Sequence, residues 1–296
     1  MTPEFSVVVV NFNAGEDLLT CLESVSRSLS GRTWDGVVVD NASTDDSCGL
    51  ISQYESVSIF RNKTNVGFAS GVNLGLSLTS GQYVLIINPD CWIEEDAMRR
   101  LESELERHSD CVLVGPKILN PDGTVQGSAR GDPTMLTGLF GRTTLFGRLF
   151  PDSSLARRNV RVLEMAKDSS SEVDWVSGAC MLVKRVPLLA ASGFDTRYFL
   201  YWEDADLCRR LRARGLTIRY VPDAAVVHRV GRSRSTAQSL AIREFHRSAY
   251  LYYATHVAPS PANPSRWIAK VLLSLRCLWK LFRKNGIRIK LQGRQE

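Results

Sequence analysis

Four short segments carry residue types that could do chemistry together. In Val39-Asp40-Asn41-Ala42-Ser43-Thr44-Asp45 an apolar run stops at an acid, and Ser43 or Thr44 is placed to cap a helix. An Asp there can accept hydrogen bonds from a nucleobase N–H, while the helix start favours anions. An Asx turn with an N-cap explains the same residues without a ligand. In Asn65-Val66-Gly67-Phe68-Ala69-Ser70-Gly71-Val72-Asn73, glycines and asparagines at a helix start allow close backbone approach to a phosphate or ribose. Asn88-Pro89-Asp90 follows the most apolar run and delivers one carboxylate to its end. Hard cations such as Mg2+ or Mn2+ take one or two carboxylates plus substrate phosphate oxygens, and a Pro89 turn is the competing explanation. The fourth segment is Tyr201-Trp202-Glu203-Asp204-Ala205-Asp206-Leu207-Cys208-Arg209-Arg210-Leu211. At helical spacing Asp204 leads the stripe Asp204, Leu207, Cys208, Leu211 and points inward, whereas Asp206 faces Arg209 and Arg210 as a solvated partner and Glu203 is intermediate. Acids at a helix start usually just complement its dipole, which does not account for one leading the buried face. Asp204 is therefore the candidate general base. His228 ends the short apolar run Val226-Val227. A lone His is most often structural, and the company of Asp90 makes it a candidate metal ligand.

These residues need elements to position them. The apolar runs Ser6–Val10, Val37–Val39, Val57–Phe60, Tyr83–Ile87 and Val112–Val114 alternate with helical patterns over Asp17–Leu29, Asp45–Tyr54, Ala69–Leu78 and Glu94–Arg107. Strands apolar throughout and separated by helices predict an α/β protein with a mostly parallel sheet covered on both faces. Ligands in such sheets bind beyond the carboxyl ends of the strands. Here those ends read Asn11-Phe12-Asn13, Asp40-Asn41, Arg61-Asn62 and Asn88-Pro89-Asp90, a polar edge. The second half is less regular: a stretch from Gly127 to Asp174 with the echo Phe140-Gly141-Arg142 and Phe146-Gly147-Arg148, a strand over Trp175–Val183, a helix over Glu203–Arg214, a strand over Ile218–Val221 and a helix over Thr236–His256. The pattern divides the chain at residues 1–120, 121–257 and 258–296, the last being a Pro-containing linker and an amphipathic tail.

Bulk properties bound the function. The net charge of +6 sits in the tail, where Arg266 to Glu296 holds nine Lys or Arg and one acid. The remaining body carries 28 bases against 30 acids, which offers no broad positive face for nucleic acid. Seven scattered cysteines with no CxxC pair argue against a disulfide framework or zinc site and fit a reducing compartment. No secretory leader and no uninterrupted apolar window of spanning length is apparent. A dehydrogenase fits poorly, because Asn11-Phe12-Asn13-Ala14-Gly15 stands where a Gly-x-Gly-x-x-Gly turn belongs.

The four segments in this order resemble family-2 glycosyltransferases of GT-A fold, with a Rossmann-like central sheet. The pattern is most similar to the bacterial rhamnosyltransferase-like branch that builds cell-surface polysaccharides, over roughly Phe5 to Arg232. The resemblance implies that Asp40 holds the donor base and that Asn11, Asn13, Asn41, Asn65, Gly67, Asn73, Asn88 and Asp90 line the nucleotide-sugar site. It implies Asp90 and His228 as ligands of one Mg2+ or Mn2+, Asp204 as base, and Ser177, Gly178, Ala179, Trp202 and Glu203 on the acceptor side. Asn88 stands where relatives carry the first acid of Asp-x-Asp, so one charge is missing from the metal site. The implied reaction is inverting transfer from a dTDP- or UDP-linked sugar, L-rhamnose by resemblance, to a polyprenyl diphosphate-linked glycan. UDP-galactofuranose, UDP-hexosamine and mannosyl donors stay open, as does a non-catalytic nucleotide-sugar-binding protein. The expected location is cytoplasmic, peripheral on the inner face of the plasma membrane. In the tail, Trp267, Ile268, Val271, Leu272, Leu275, Leu278, Trp279 and Phe282 follow a helical stripe interrupted by Lys270, Arg276, Lys280, Arg283 and Lys284. That pattern suits a helix lying in a membrane interface, or one packed on the body with a solvated basic face.

Overall fold

The computed structural model describes residues 2–52, 54–132, 169–229 and 238–292. The echo at residues 140–148 lies outside them. Strands β1 (Phe5–Asn11), β2 (Trp34–Asp40), β3 (Val57–Arg61) and β4 (Tyr83–Ile87) alternate with helices α1 (Glu16–Ser28), α2 (Ser47–Leu50) and α3 (Phe68–Ser77). Then come β5 (Cys91–Ile93), α4 (Ala97–Arg107), β6 (Cys111–Leu119), β7 (Ala129–Arg130), β8 (Ser171–Glu172), β9 (Trp175–Val176) and β10 (Cys180–Lys184). Helices α5 (Arg185–Ala190) and α6 (Glu203–Arg212), strand β11 (Thr217–His228), helix α7 (Gln238–Tyr252), a π-helical turn (Tyr253–Val257) and helix α8 (Pro264–Gln292) complete the described chain.

Nine of these strands form one sheet in the order β3-β2-β1-β4-β10-β6-β11-β5, with β8 pairing β11. Pairs β2–β3, β1–β2, β1–β4 and β6–β11 are parallel. Strand β10 runs antiparallel between β4 and β6, so β6 and β11 share the direction of the first four strands. The sheet is therefore mostly parallel, as its unbroken apolar strands predict. Alternate residues of β1 feed two cores. Phe5, Val7 and Val9 pack with α1 and α4 residues such as Leu18, Leu22 and Leu101. Val8 and Val10 pack with Val72 and Leu76 of α3 and Leu207 and Leu211 of α6. Helix α3 approaches closely because Gly75 has no Cβ; one there would lie 2.4 Å from Val8 Cγ1.

Residues 1–120 and 121–257 share one sheet, because β10 and β11 of the second stretch enter the sheet of the first. Expectations about individual elements change. The helix expected over Asp45–Tyr54 shrinks to four residues. Asp45 there accepts hydrogen bonds from the Ser47 N–H and hydroxyl, local bonds that compete with a helical ladder. The strand expected over Trp175–Val183 breaks at Ser177–Ala179, and Ile218–Val221 extends to Thr217–His228.

Candidate active site

The topology brings the chemistry to one edge. Asn11 and Asp40 are in register at the ends of β1 and β2, and Asp40 is level with Arg61 of β3. Cys180 opposes Ile87, so the segment before β10 meets the end of β4, and His228 opposes Cys91 one residue beyond Asp90. Non-glycine residues in the left-handed region concentrate here too: Asn13, Ala42, Tyr201 and Trp202 have φ of 53°, 62°, 69° and 72°. Backbone strain of this kind persists where surrounding structure enforces it and gathers at functional sites.

On the donor side, Asn11 is fully buried and its amide donates to Asp40 Oδ1 at 2.9 Å and Ser47 Oγ at 2.8 Å. Asn11 Oδ1 has no protein partner among the described residues. Asp40 Oδ1 also accepts the Ser43 hydroxyl, while Oδ2 accepts the Ser43 N–H at 3.3 Å, a long bond that leaves the oxygen able to take a further donor. Asn13 Oδ1 accepts from Thr44 N at 2.7 Å and holds the turn closed. Asn41 is a brace: its amide donates to Gly67 O at 3.1 Å and its oxygen accepts from Asn62. Asn65 accepts the Gly67 N–H, and Gly67 must be glycine, with φ of 86° and Phe199 O only 2.4 Å from where a Cβ would stand. Asn73 departs from the expectation. Its amide donates to Phe194 O at 2.7 Å and accepts from Phe194 N at 2.8 Å, so both polar groups tie α3 to the loop before α6 rather than addressing a nucleotide.

The Asp90–His228 pair forms across β5 and β11. His228 Nε2 lies 3.3 Å from Asp90 Oδ1, and both side chains are about one-seventh exposed (14% and 15%). Their ligand atoms and Cys91 Sγ all fall within 4.8 Å of one another. Cys91 is an unsuitable third ligand, because complete burial raises its thiol pKa well above the usual value and Sγ contacts Ala179 O. Gln126, which the sequence did not single out, fixes the imidazole. Its Nε2 donates to His228 O at 2.9 Å and Asn120 Oδ1 at 2.8 Å, so Oε1 is left to accept from His228 Nδ1 at 3.1 Å. With Nδ1 held as the donor to Gln126, Nε2 is the nitrogen turned towards Asp90, the second-shell arrangement of metal-binding histidines. Two oxygen or nitrogen donors about 3 Å apart suit one edge of an octahedral hard-cation shell with bonds near 2.1 Å. The residues present fit a Mg2+ or Mn2+ that takes its remaining ligands from substrate and water. Asn88 N–H donates to Ala179 O at 2.8 Å, which fixes the turn carrying Asp90.

Asp204 is the second residue of α6 and is half-buried. Its Oδ2 accepts the Gly178 N–H at 2.9 Å and Oδ1 accepts the Ala205 N–H at 2.8 Å. Burial raises its pKa, opposed by these two N–H groups. The strand breaks at Ser177–Ala179 because Gly178 N–H turns to Asp204 while Ala179 O turns to Asn88; the segment links the base to the Asp90 turn. Glu203 is 5% exposed, its Oε2 lacks a protein partner among the described residues, and burial beside the Asp204 carboxylate raises its pKa strongly. Trp202 packs on Phe245 and Tyr252 of α7, at centroid distances of 6.0 and 5.3 Å, and its buried Nε1 has no partner among the described residues. Asp206 corrects the helical-wheel reading. It is fully buried, not solvated, with Oδ2 2.7 Å from Arg210 Nε and Oδ1 2.6 Å from His256 Nε2. The wheel treats α6 as having one covered face, whereas α7 and its π-helical turn cover a second.

The profile described as Glycosyl transferase family 2 matches residues 6–159. An N-acetylglucosaminyl-diphospho-decaprenol L-rhamnosyltransferase of Mycobacterium tuberculosis is 31% identical over 93% of this chain and 92% of its own length. Among solved structures, a mannosyltransferase of Pyrobaculum calidifontis in complex with GDP-Man and Mn2+ superposes with a TM-score of 0.58 at 17% identity, over 94% of this chain and 72% of that one. S. aureus TarS in complex with UDP superposes with a TM-score of 0.54 at 17% identity, over 86% of this chain and 66% of that one. Those two likenesses establish the GT-A fold. With an acid at the β2 end, an acid–histidine pair across β5 and β11, and a buried-face acid at the start of α6 all on one sheet edge, the chain belongs to glycosyltransferase family 2.

Proposed function

We propose that this glycosyltransferase moves L-rhamnose from dTDP-L-rhamnose to a polyprenyl diphosphate-linked glycan, with inversion at the anomeric carbon. The observation that carries the reaction type is Asp204: one carboxylate, raised by burial, and joined through Gly178 and Ala179 to the turn bearing Asp90. A single base near one donor site suits direct displacement. Asp204 Oδ removes the proton of an acceptor hydroxyl as its oxygen bonds to the anomeric carbon. The bond from that carbon to the diphosphate oxygen breaks, and the nucleoside diphosphate leaves. From a β-linked donor the product is an α-rhamnoside. Asp40 Oδ2, whose bond to the Ser43 N–H is long, is able to take a pyrimidine N–H, and the buried Asn11 amide holds that carboxylate in place. Asp90 and His228 would hold one Mg2+ or Mn2+, which when bound supplies Lewis-acid stabilisation of diphosphate charge. Rhamnose and the lipid-linked acceptor are supported by the name of the mycobacterial relative, which spans nearly the whole chain.

The test is a panel of nucleotide sugars scored for protection against thermal unfolding, with and without metal, followed by transfer to a lipid-linked acceptor. The expected result is metal-dependent protection by dTDP-L-rhamnose, weaker protection by GDP-mannose, and an α-linked product by NMR. Strongest protection and turnover with UDP-galactofuranose, a UDP-hexosamine or a mannosyl donor would reassign the sugar. Binding without turnover on any acceptor would favour a nucleotide-sugar-binding protein.

A further inference from the structure

Helix α8 is folded the wrong way round for a soluble protein. Over residues 264–284 its buried residues are Ala269 and Leu273, and Arg276, Lys280 and Lys284 share that half-covered side. Lys280 Nζ lies 5.8 Å from the Phe245 ring of α7, and Lys284 Nζ donates to Ser239 Oγ at 2.7 Å. Burial lowers the pKa of Arg276, as expected for a base turned towards the protein. The opposite side carries Trp267, Val271, Leu275, Leu278, Trp279 and Phe282, between 55% and 77% exposed, with Ile268 and Leu272 beside them. At about 100° per residue these eight fall within an arc of roughly 140°, and the packed side is centred opposite it. Of the two sequence-based alternatives, packing on the body is present, but the face left to water is the apolar one.

Exposed bases border the stripe. Lys270 sits on one flank, its Nζ 5.7 Å from the Trp267 ring, and Arg283 on the other, its guanidinium 4.8 Å from the Trp279 ring. Residues 238–284 hold eight Lys or Arg and one acid, Glu244. A second copy of this surface would bring like charge against like charge. An anionic leaflet offers apolar chains to the stripe and negative headgroups to the flanking bases, and Trp side chains favour that boundary. No described helix is long and apolar enough to cross a membrane. The stripe also lies one helix behind the candidate acceptor side, because Phe245 of α7 contacts Tyr201 and Trp202 as well as Lys280.

We propose that the outward face of α8 docks this chain on an anionic lipid surface, lying in the interface with α7 and the catalytic body above it. That the docked acceptor is lipid-linked rests on the proposed function; the docking itself does not.

The experiment uses the full chain with vesicles of phosphatidylcholine alone and of phosphatidylcholine with phosphatidylglycerol. Expected are cosedimentation with the anionic vesicles, weaker binding to the neutral ones, and a blue shift of tryptophan emission. The double variant Leu275→Glu, Phe282→Glu changes exposed positions, so its unfolding temperature should match the parent while vesicle affinity falls at least about tenfold. Lys270→Glu with Arg283→Glu should weaken binding to anionic vesicles and leave neutral-vesicle binding unchanged. Undiminished cosedimentation of the stripe variant overturns the proposal. So does a concentration-dependent dimer that the stripe variant abolishes in a parent that ignores vesicles, which would assign the face to a second copy. Thermal protection by nucleotide sugars, measured on the same variants, reads the donor site independently, so failure of either idea is visible separately.

Discussion

Asp204 and Asp206 stand two residues apart on α6 and have opposite tasks. Asp204 keeps a half-buried carboxylate held by two backbone N–H groups, while Asp206 is fully enclosed by Arg210 and His256. Asp204→Asn should therefore leave the unfolding temperature near that of the parent and lower kcat by two or more orders of magnitude, the usual range for a lost general base. Near-parental kcat would move the role to Glu203. Asp206→Ala should do the reverse first, destabilising the fold by about 3 kcal/mol because it strands a buried charge partner, as denaturant titration would read. A pH profile provides a further check. Asp204 works ionised and burial raises its pKa, so kcat should fall with acidification at a pH above the ordinary Asp value of about 4. Glu203 has a stability signature of its own. Its folded pKa lies above the unfolded one, so it lowers stability as pH rises above about 4.3, where only the unfolded state ionises. Glu203→Gln should raise the unfolding temperature at pH 7 and leave it unchanged near pH 3.5. At the metal site, Gln126→Leu removes the acceptor that fixes His228, and should weaken metal-dependent donor binding about 10- to 100-fold while Asp90 and His228 remain. Calorimetry showing parental metal affinity would leave Gln126 a merely structural role.

At the scale of elements, the strand ends were legible because period and punctuation agree there. Buried parallel strands read as apolar runs, and those of β1, β2 and β4 stop at Asn or Asp, so Asn11, Asp40 and Asp90 fall at one edge as soon as the sheet is parallel. The segments that double back were not legible. Trp175–Val183 is apolar enough to be one strand, and only tertiary hydrogen bonds from Gly178 and to Ala179 break it. Gln126 sits on a short loop whose partner, His228, is 102 residues away, and nothing local marks it. The wheel misjudged Asp206 because it is blind to a helix arriving from later in the chain. Gly67 was legible as a residue needed for close approach, though the neighbour is Phe199 O in the protein itself. Gly67→Ala places a Cβ against that carbonyl at positive φ, and should cost at least about 1 kcal/mol of stability. It should also weaken dTDP binding, since Asn41 rests on Gly67 O and braces the Asp40 turn. Parental stability and nucleotide affinity together would show that the Asn65–Phe68 turn yields freely.

For the whole molecule, the sheet order determines what can fold alone. A division near residue 120 looks natural in the sequence, since regular alternation of strand and helix stops there. In the structure β6 (Cys111–Leu119) pairs with β10 and β11, with an isolated bridge from Leu119 to Val125, and all of these partners follow residue 120. A fragment of residues 1–120 would therefore hold β6 with no strand partner on either side and would open the β4 edge that β10 covers. Val112 and Leu113, buried in the intact chain, would lose Met181, Val183 and Ile218 from their core, and Val114 would lose Leu182 and Val226 from the other. An unpaired apolar strand next to an open apolar edge is a template for association between chains. The fragment should lack a cooperative denaturant transition and should aggregate, whereas residues 1–257 keep all nine strands, α6 and the π-helical turn that encloses Asp206. That longer fragment should unfold cooperatively and bind nucleotide, having lost the cover of α8, which packs Ala269 against Tyr253 and bonds Ser239 through Lys284. A single cooperative transition in residues 1–120, with nucleotide affinity retained, would show that the donor half is an autonomous unit after all and that β10 and β11 join a sheet already formed.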